Sequence, residues 1–341
     1  MAIIPLELQV LVVEWVYRHS QHRIDIDYNT LLACALVCRA WRPIAQHFLF
    51  RRVPRQKHVD ESRPYISLLA DILRACPHLA AHVRTIYLKL DPDPFDVPLL
   101  ELCPHVAGVI SGHAVDAYFM FRIRELAISQ DIKYFSVIGV YEDVAGIWSM
   151  WPTLRAVDIV RFVSMEGPPV RLPSGVTSLS FPPAVMSRIF STTHDLPALR
   201  DLELFGTEFP SDHLCASDLL PQLRTLVVHG PLPPAEVLEQ LKQLESLVFN
   251  DLPVHNVSLP RTLRHVGYHC PSAPGPSTKD ASFLVAALHG LDDIELVTVT
   301  RLNLLAKTQA VLREACRDMD VEFVTYQTSF HFSRPRCVDW I

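Results

Sequence analysis

Three groups of cysteine and histidine residues stand at spacings that metal ligands use. They are Cys34 with Cys38, His78 with His82, and His265 with His269 and Cys270. A structural zinc site needs four ligands, usually supplied as two such pairs. No second pair at ligand spacing accompanies any of the three groups, and the chain has no His-Glu-x-x-His motif. We therefore expect core thiols and surface or turn histidines, with no metal and no other cofactor.

Two further segments resemble reactive loops without completing them. The segment Asp91–Asp96 is acidic, but it has two prolines and lacks the glycine of a calcium loop. In Gly108–Gly112 the serine stands one place too late for a nucleophile elbow. No glycine-rich phosphate loop occurs. We expect a protein without enzymatic activity; the alternative is an enzyme whose cysteine, histidine and aspartate side chains converge only in the folded chain.

The composition of the 341 residues is that of a folded protein, with 49% hydrophobic and 20% charged residues. A net charge of -6 argues against a nucleic-acid partner, since binding phosphates requires an excess of Lys and Arg. No secretory signal and no membrane-spanning run is visible. The eight cysteines lack tight spacings, which favours free thiols. We expect a cytoplasmic or nuclear protein that does not enter a membrane.

The first fifty residues predict two helices with more apolar side chains than they can bury together. Pro5 suits the start of the first helix, whose apolar positions recur at intervals of three and four residues. These positions are Leu8, Leu11, Val12, Trp15 and Val16. The polar stretch Tyr17–Asn29 predicts a long loop, and Leu31–Trp41 predicts a second helix that Pro43 ends or kinks. His47–Phe50 predicts a short apolar helix after it. The surplus apolar residues predict contact with the following domain or with a partner.

Residues 60–341 carry an irregular repeat, apolar-x-x-apolar-x-apolar, at intervals of roughly 20 to 30 residues. The first residues of the nine clear copies are Val83, Ile123, Leu154, Val176, Leu199, Leu223, Leu244, Leu263 and Leu291, with Val106 starting a degraded copy. Helical segments lie between them, at residues 65–76, 234–241, 281–288 and 302–316. The fold class is α/β. A solenoid with parallel strands on a concave face and helices on a convex face is favoured over an ordinary α/β domain.

The N-terminal residues resemble an F-box, on the motif Ile4-Pro5-x-Glu7-Leu8 followed by the run Leu31–Trp41. The remainder resembles the leucine-rich-repeat region that commonly follows an F-box. The resemblance implies an all-α F-box module at residues 1–58, an irregular leucine-rich-repeat solenoid at residues 59–341, and the role of substrate receptor in an SCF-type cullin–RING ubiquitin ligase. It also implies which residues contact the Skp adaptor and, through it, a cullin. They are Pro5, Leu8, Leu36, Val37, Cys38 and Trp41.

A different class of function is possible for the same residues. The F-box-like helices could instead form an N-terminal cap on a repeat protein that scaffolds other proteins. In a cap, Leu36, Val37 and Trp41 would pack inward against the first repeat. In an adaptor they would leave an apolar patch available.

The strand positions that alternate away from the core predict a surface for an unknown target protein. The fourth residue after each core start is apolar in the middle of the row, with an acid at each side, as in many interfaces. The candidate residues of this row and its neighbour are Glu203, Phe205, Val227, His229, Val248, Asn250 and Glu295. The alternative is that the two valines are present only because they favour strands.

Overall fold

The computed structural model describes residues 5–21, 28–53, 65–88, 96–115, 132–140, 148, 151–162, 172–182, 196–206, 209, 219–251, 258–268, 278–300 and 306–326. The chain forms two compact units, Met1–Gly167 with Pro335–Ile341, and Pro168–Arg334. The helices α1–α3 therefore belong to the same unit as the first strands. The expected boundary after residue 58 stays a prediction.

Both units contain helices and strands. The helices of the first unit are α1 (Leu6–Gln21), α2 (Tyr28–Val37), α3 (Trp41–Arg51), α4 (Tyr65–Ala75), α5 (Pro77–Ala80) and α6 (Asp96–Leu102). Those of the second unit are α7 (Ala235–Leu238), α8 (Thr278–Leu288) and α9 (Ala306–Asp318), with a 3₁₀ turn at Leu220–Gln222. The four helical segments expected between repeat cores coincide with α4, α7, α8 and α9.

Eleven strands are described, and within each unit every strand pairs in parallel with the next one along the chain. The first unit contains β1 (Thr85–Leu88), β2 (Gly108–Val115), β3 (Tyr134–Val140) and β4 (Ala156–Phe162). The second contains β5 (Ser178–Phe181), β6 (Asp201–Leu204), β7 (Thr225–Pro231), β8 (Ser246–Asp251), β9 (His265–Tyr268), β10 (Leu296–Thr300) and β11 (Glu322–Tyr326). Parallel strands in chain order are the arrangement expected of leucine-rich repeats.

Helix α1 is longer than the sequence indicated. The N–H of Gln9 donates to the Pro5 carbonyl over 3.1 Å, so the helix begins directly after the proline. It continues to Gln21 because Tyr17, four residues after the fully buried Val13, also packs into the core. The Tyr17 ring lies 4.9 Å from that of Phe48. The long loop expected from Tyr17 is therefore wrong, since α2 already begins at Tyr28.

The second predicted helix ends earlier than expected, and the short helix predicted at His47–Phe50 is part of a longer one. Helix α2 ends at Val37 and α3 begins at Trp41, with a turn at Arg39–Ala40 between them. Pro43 consequently stands in the first turn of α3, where a missing N–H costs no intrahelical hydrogen bond. The proline permits the start of a helix here, whereas the sequence indicated an end or a kink.

The repeat follows the predicted core positions in most copies. Seven of the nine clear copies lead into a strand, namely those that start at Val83, Leu154, Val176, Leu199, Leu223, Leu244 and Leu263. The degraded copy at Val106 also forms a strand, β2. The copy at Ile123 lies outside the described residues. Strand β3 instead follows Ile132, which the sequence analysis missed, and its Phe135 ring lies 4.8 Å from that of Trp151.

The last predicted copy is displaced by three residues. Strand β10 begins at Leu296, and its buried positions are Val297 and Val299, both 0% exposed. The core of this repeat therefore starts at Ile294, not at Leu291. Thr298 is the residue that pairs with Gly267 of β9.

Gly267 is required by its neighbours in the strand register. A Cβ atom at this position would lie 2.8 Å from Cγ2 of Val248, closer than such atoms approach each other in proteins, and 3.0 Å from Oγ1 of Thr298, a tight contact. We expect Gly267→Ala to lower the free energy of unfolding by about 1–3 kcal/mol, the usual cost of overpacking. Denaturant unfolding measures the loss. In the Val248→Ala background the loss should shrink, and an equal loss in both backgrounds would contradict the packing account.

Candidate functional site

The exposed apolar side chains of the described residues concentrate on two helices of the first unit. Nine large apolar side chains are exposed, and seven of them lie on α1 and α2. They are Leu8 (50% exposed), Leu11 (57%), Val12 (45%), Trp15 (62%), Leu32 (53%), Leu36 (72%) and Val37 (63%). We call these seven residues the helical apolar surface. On α1 they recur at intervals of three and four residues, so they share one face of the helix.

Both helices hold this surface in place by burying a different face. The buried residues form one small core together with α3, comprising Val13, Tyr17, Leu31, Cys34, Ala35, Ala45 and Phe48. Val13 and Leu31 are 0% exposed. The seven exposed side chains of the helical apolar surface lie outside this core. Exposing so much apolar surface is unusual for a monomer. The surplus predicted from the sequence is present in the folded chain.

Five of the six residues expected to contact an adaptor are exposed. They are Pro5, Leu8, Leu36, Val37 and Cys38. The sixth, Trp41, is half-buried and packs against the helical core. Trp41 therefore stabilises the three-helix module by packing against its core. Contact of all six residues with a partner stays a prediction.

The described cysteines and histidines do not form a metal site. No group of three or more His, Cys, Asp or Glu side chains that could hold an ion occurs among the described residues. Burial raises the pKa of Cys103 to about 12 and that of Cys316 to about 11, and it also raises the pKa of Cys34. These thiols are therefore protonated at neutral pH and poor nucleophiles. His269 and Cys270 lie outside the described residues.

The end of α3 extends the parallel pairing beyond β1. The N–H of Val53 donates to the Thr85 carbonyl and that of Arg84 to the Arg51 carbonyl, each over 2.9 Å. Arg52 bridges to Thr85 in parallel. Backbone groups at the edge of the first strand are thereby satisfied, which leaves less of that edge open to pairing with another chain.

A histidine pair lies at the same junction. The Nδ1 atoms of His47 on α3 and His82 before β1 are 3.3 Å apart, so one ring donates and the other must be neutral to accept. Burial lowers the pKa of His47, and the positive charges of His82, Arg51 and Arg84 lower it further. Burial also lowers the pKa of His82, with additional contributions from Arg84 and His78.

We expect this pair to make the first unit less stable in acid. Because both pKa values are lowered on folding, the folded chain binds fewer protons than the unfolded chain below pH about 6.5. Stability is complete above that pH and falls as the pH decreases toward the folded pKa values. We expect the double variant His47→Asn with His82→Asn to show a smaller decrease in melting temperature between pH 7 and pH 5 than the unmodified chain. His289→Asn, at an exposed position, is the control. Parallel curves for the double variant and the unmodified chain would rule the junction out as the cause.

The strand face of the second unit differs from the expected target surface in two ways. The register aligns Glu203, Val227, Val248, Gly267 and Thr298 across β6–β10. Val227 and Val248 are only 4% and 2% exposed, so the expected apolar centre is packed and not available for contact. Glu295 precedes β10 and is not in this row, because the last core starts at Ile294.

Glu295 pairs with an arginine and does not flank the predicted target surface. Its carboxylate accepts hydrogen bonds from the Arg264 guanidinium at the exposed entry to the strands. Arg224 and Glu245 form a similar pair over 3.4 Å. These pairs are exposed to solvent, where ion pairs contribute little to stability.

Polar side chains on the remaining strand positions form two cross-strand groups. Nε2 of His229 lies 2.7 Å from Oε1 of Glu203, and the His229 ring stacks on Phe205 with centroids 4.5 Å apart. In the other group, His265 joins Ser246 and Thr298, each over 2.8 Å. The second group was not foreseen, because its members lie on three separate strands and come together only through the register.

The comparisons with known proteins leave the family undecided. No family model and no curated protein matches the sequence. A chain in the crystal structure of a TLR13–ssRNA13 complex is similar to this one at a TM-score of 0.35 and 12% sequence identity. The match covers 76% of this chain and 42% of the TLR13-complex chain, so this chain spans less than half of the length of that neighbour. Likeness at this level carries no argument about function. Among the described residues, no helix is long and apolar enough to cross a membrane.

Proposed function

We propose that this protein is the substrate-recognition subunit of an SCF-type ubiquitin ligase, with α1–α3 acting as an F-box and the strand repeats holding a target protein. The observation that carries the proposal is the helical apolar surface, which exposes motif residues Leu36 and Val37 by 72% and 63%. Burying such side chains against a partner gives a favourable free energy of about 25 cal/mol per Å² of apolar area. A Skp adaptor, followed by a cullin, is the partner that the F-box resemblance supplies.

The alternative is a scaffold protein in which α1–α3 only cap the repeats, and the junction of α3 with β1 favours it. The hydrogen bonds of Val53 and Arg84 show that the end of α3 does extend the strand pairing. A cap, however, would also turn Leu36, Val37 and Trp41 toward the first repeat. The first two are exposed and the third packs within the helical core. Capping by α3 therefore does not account for the exposed apolar side chains of α1 and α2. Binding to an adaptor does account for them.

Co-expression tests the proposal directly. The full chain is expressed with a Skp-family adaptor and a cullin, purified through a tag on this chain, and the co-purifying proteins are identified by mass spectrometry. We expect a stoichiometric complex with the adaptor and, through it, the cullin. A folded chain that purifies without the adaptor would leave the scaffold function as the better account.

A further inference from the structure

Charge is distributed unevenly along the strands of the second unit. Arg200, Arg224 and Arg264 stand immediately before β6, β7 and β9, at the strand entry. On β5–β11, the positions that alternate away from the core include the carboxylates Asp201, Glu203 and Glu322 and, among the described residues, no Lys or Arg. This strand face therefore repels phosphates and other anions and attracts cations.

Two stacked rings, those of Phe205 and His229, lie beside the Glu203 carboxylate. Glu203 accepts a hydrogen bond from His229, and the side chains of Glu203 and His229 are 12% and 18% exposed. The Phe205 ring stacks on the imidazole with an angle of 13° between the planes, and it is half-buried. A carboxylate can accept about four hydrogen bonds, so the bond from His229 leaves it capacity for another donor. Aromatic faces beside a carboxylate attract cations, most strongly where water is partly excluded.

An unsatisfied acceptor lies on the same strand face. Asn250 follows Val248 by two residues on β8, so its side chain alternates to the same side as His229 on β7. Asn250 is 6% exposed, and its Oδ1 atom has no hydrogen-bond partner. A buried acceptor without a donor costs about 1–3 kcal/mol, and such groups commonly mark a functional position.

We propose that the strand face formed by Asp201, Glu203, Phe205, His229 and Asn250 binds a protein segment through one of its Lys or Arg side chains. The cation would lie over the Phe205–His229 pair, with N–H groups donating to the Glu203 carboxylate. Oδ1 of Asn250, which is buried in the free chain, would accept a hydrogen bond from the same ligand after its side chain turns toward it. Every polar group assigned to the contact is an acceptor, as a guanidinium or ammonium requires. The assignment rests on the proposed function, in which the repeats hold a target, and it names the chemistry of that target.

Peptide selection tests this inference on the full chain. A library of random twelve-residue peptides is selected against immobilised protein, against Glu203→Gln, and against a control in which Glu236 and Glu239 on or beside α7 are both changed to Gln. The Glu203 change removes the charge and keeps an acceptor for His229, whereas both control residues are exposed away from this face. We expect a fixed Lys or Arg in the peptides enriched by the unmodified chain and by the control. For one such peptide, Glu203→Gln should weaken binding about tenfold.

Three results with peptides would overturn the inference: no enriched peptide, enriched peptides without a fixed Lys or Arg, or an unchanged affinity for Glu203→Gln. Thermal melting establishes that each variant is folded. An RNA oligonucleotide is included as a competitor, and its binding to this face would also contradict the assignment. Co-purification with the adaptor uses α1 and α2, so it should be unaffected by Glu203→Gln. If the unmodified chain does not bind the adaptor, that result would therefore contradict the ligase proposal alone.

Discussion

Val248→Asp is expected to unfold the second unit at neutral pH. Val248 is 2% exposed, and its methyl groups occupy the space over Gly267 that a side chain would otherwise fill. An aspartate there would be an ionised group without a partner, and burying one costs several kcal/mol even after the structure relaxes. A single domain is stable by only about 5–15 kcal/mol. The thermal transition of the second unit should therefore be lost or lowered by more than 10 °C, by the usual relation between stability and melting temperature.

The matched control is Val311→Asp on α9, which makes the same chemical change at a valine that is 39% exposed. Its melting temperature should stay close to that of the unmodified chain. Burial raises the pKa of a carboxyl group, so the damage from Val248→Asp should diminish as the pH falls toward 4. Equal melting temperatures for the two variants at neutral pH would show that Val248 is accessible to water after all.

Val248 also shows which property of the strand face could not be predicted from the sequence. Alternation along β7 and β8 correctly predicted which side chains point away from the core, but it could not predict whether they are exposed. Val248 is buried because the aligned residue on the next strand is a glycine, and that alignment depends on the register between strands. Glu203, by contrast, was predicted on this face and does lie there.

Register also explains the error at the last repeat. Two overlapping frames fit the repeat pattern, one starting at Leu291 and one at Ile294. The structure uses the second, because it places Val297 and Val299 in the core, while Leu291 packs after the end of α8. Pattern matching cannot choose between two apolar frames three residues apart, since only packing against β9 distinguishes them.

The first helix was predictable in position but not in length. The apolar spacing identified α1 and its apolar face, of which Leu8, Leu11, Val12 and Trp15 are exposed while Val16 packs against the helical core. The polar residues after Tyr17 suggested a loop, yet the ring of Tyr17 packs on Phe48 and lies beneath the Arg51 guanidinium at 5.9 Å, so it extends the helix. Contacts between helices, which a single sequence does not display, determined where α1 ends.

The second large effect is expected on binding. Leu36→Ser with Val37→Ser removes the two most exposed apolar side chains of the helical apolar surface without touching the helical core. Truncation of apolar residues at the centre of an interface costs about 2 kcal/mol or more, which corresponds to at least tenfold weaker binding. Because both side chains face solvent in the free chain, the melting temperature should change little. The control is Ile72→Ser with Val311→Ser, at two apolar residues that are each 39% exposed elsewhere.

Titration calorimetry of the full chain with a purified Skp-family adaptor tests the central claim most directly. The account predicts binding by the unmodified chain and by the control, and a dissociation constant at least about tenfold higher for Leu36→Ser with Val37→Ser. A folded, unmodified chain that does not bind the adaptor, or equal dissociation constants for that chain and the Leu36/Val37 variant, would contradict the claim that α1 and α2 form the docking surface.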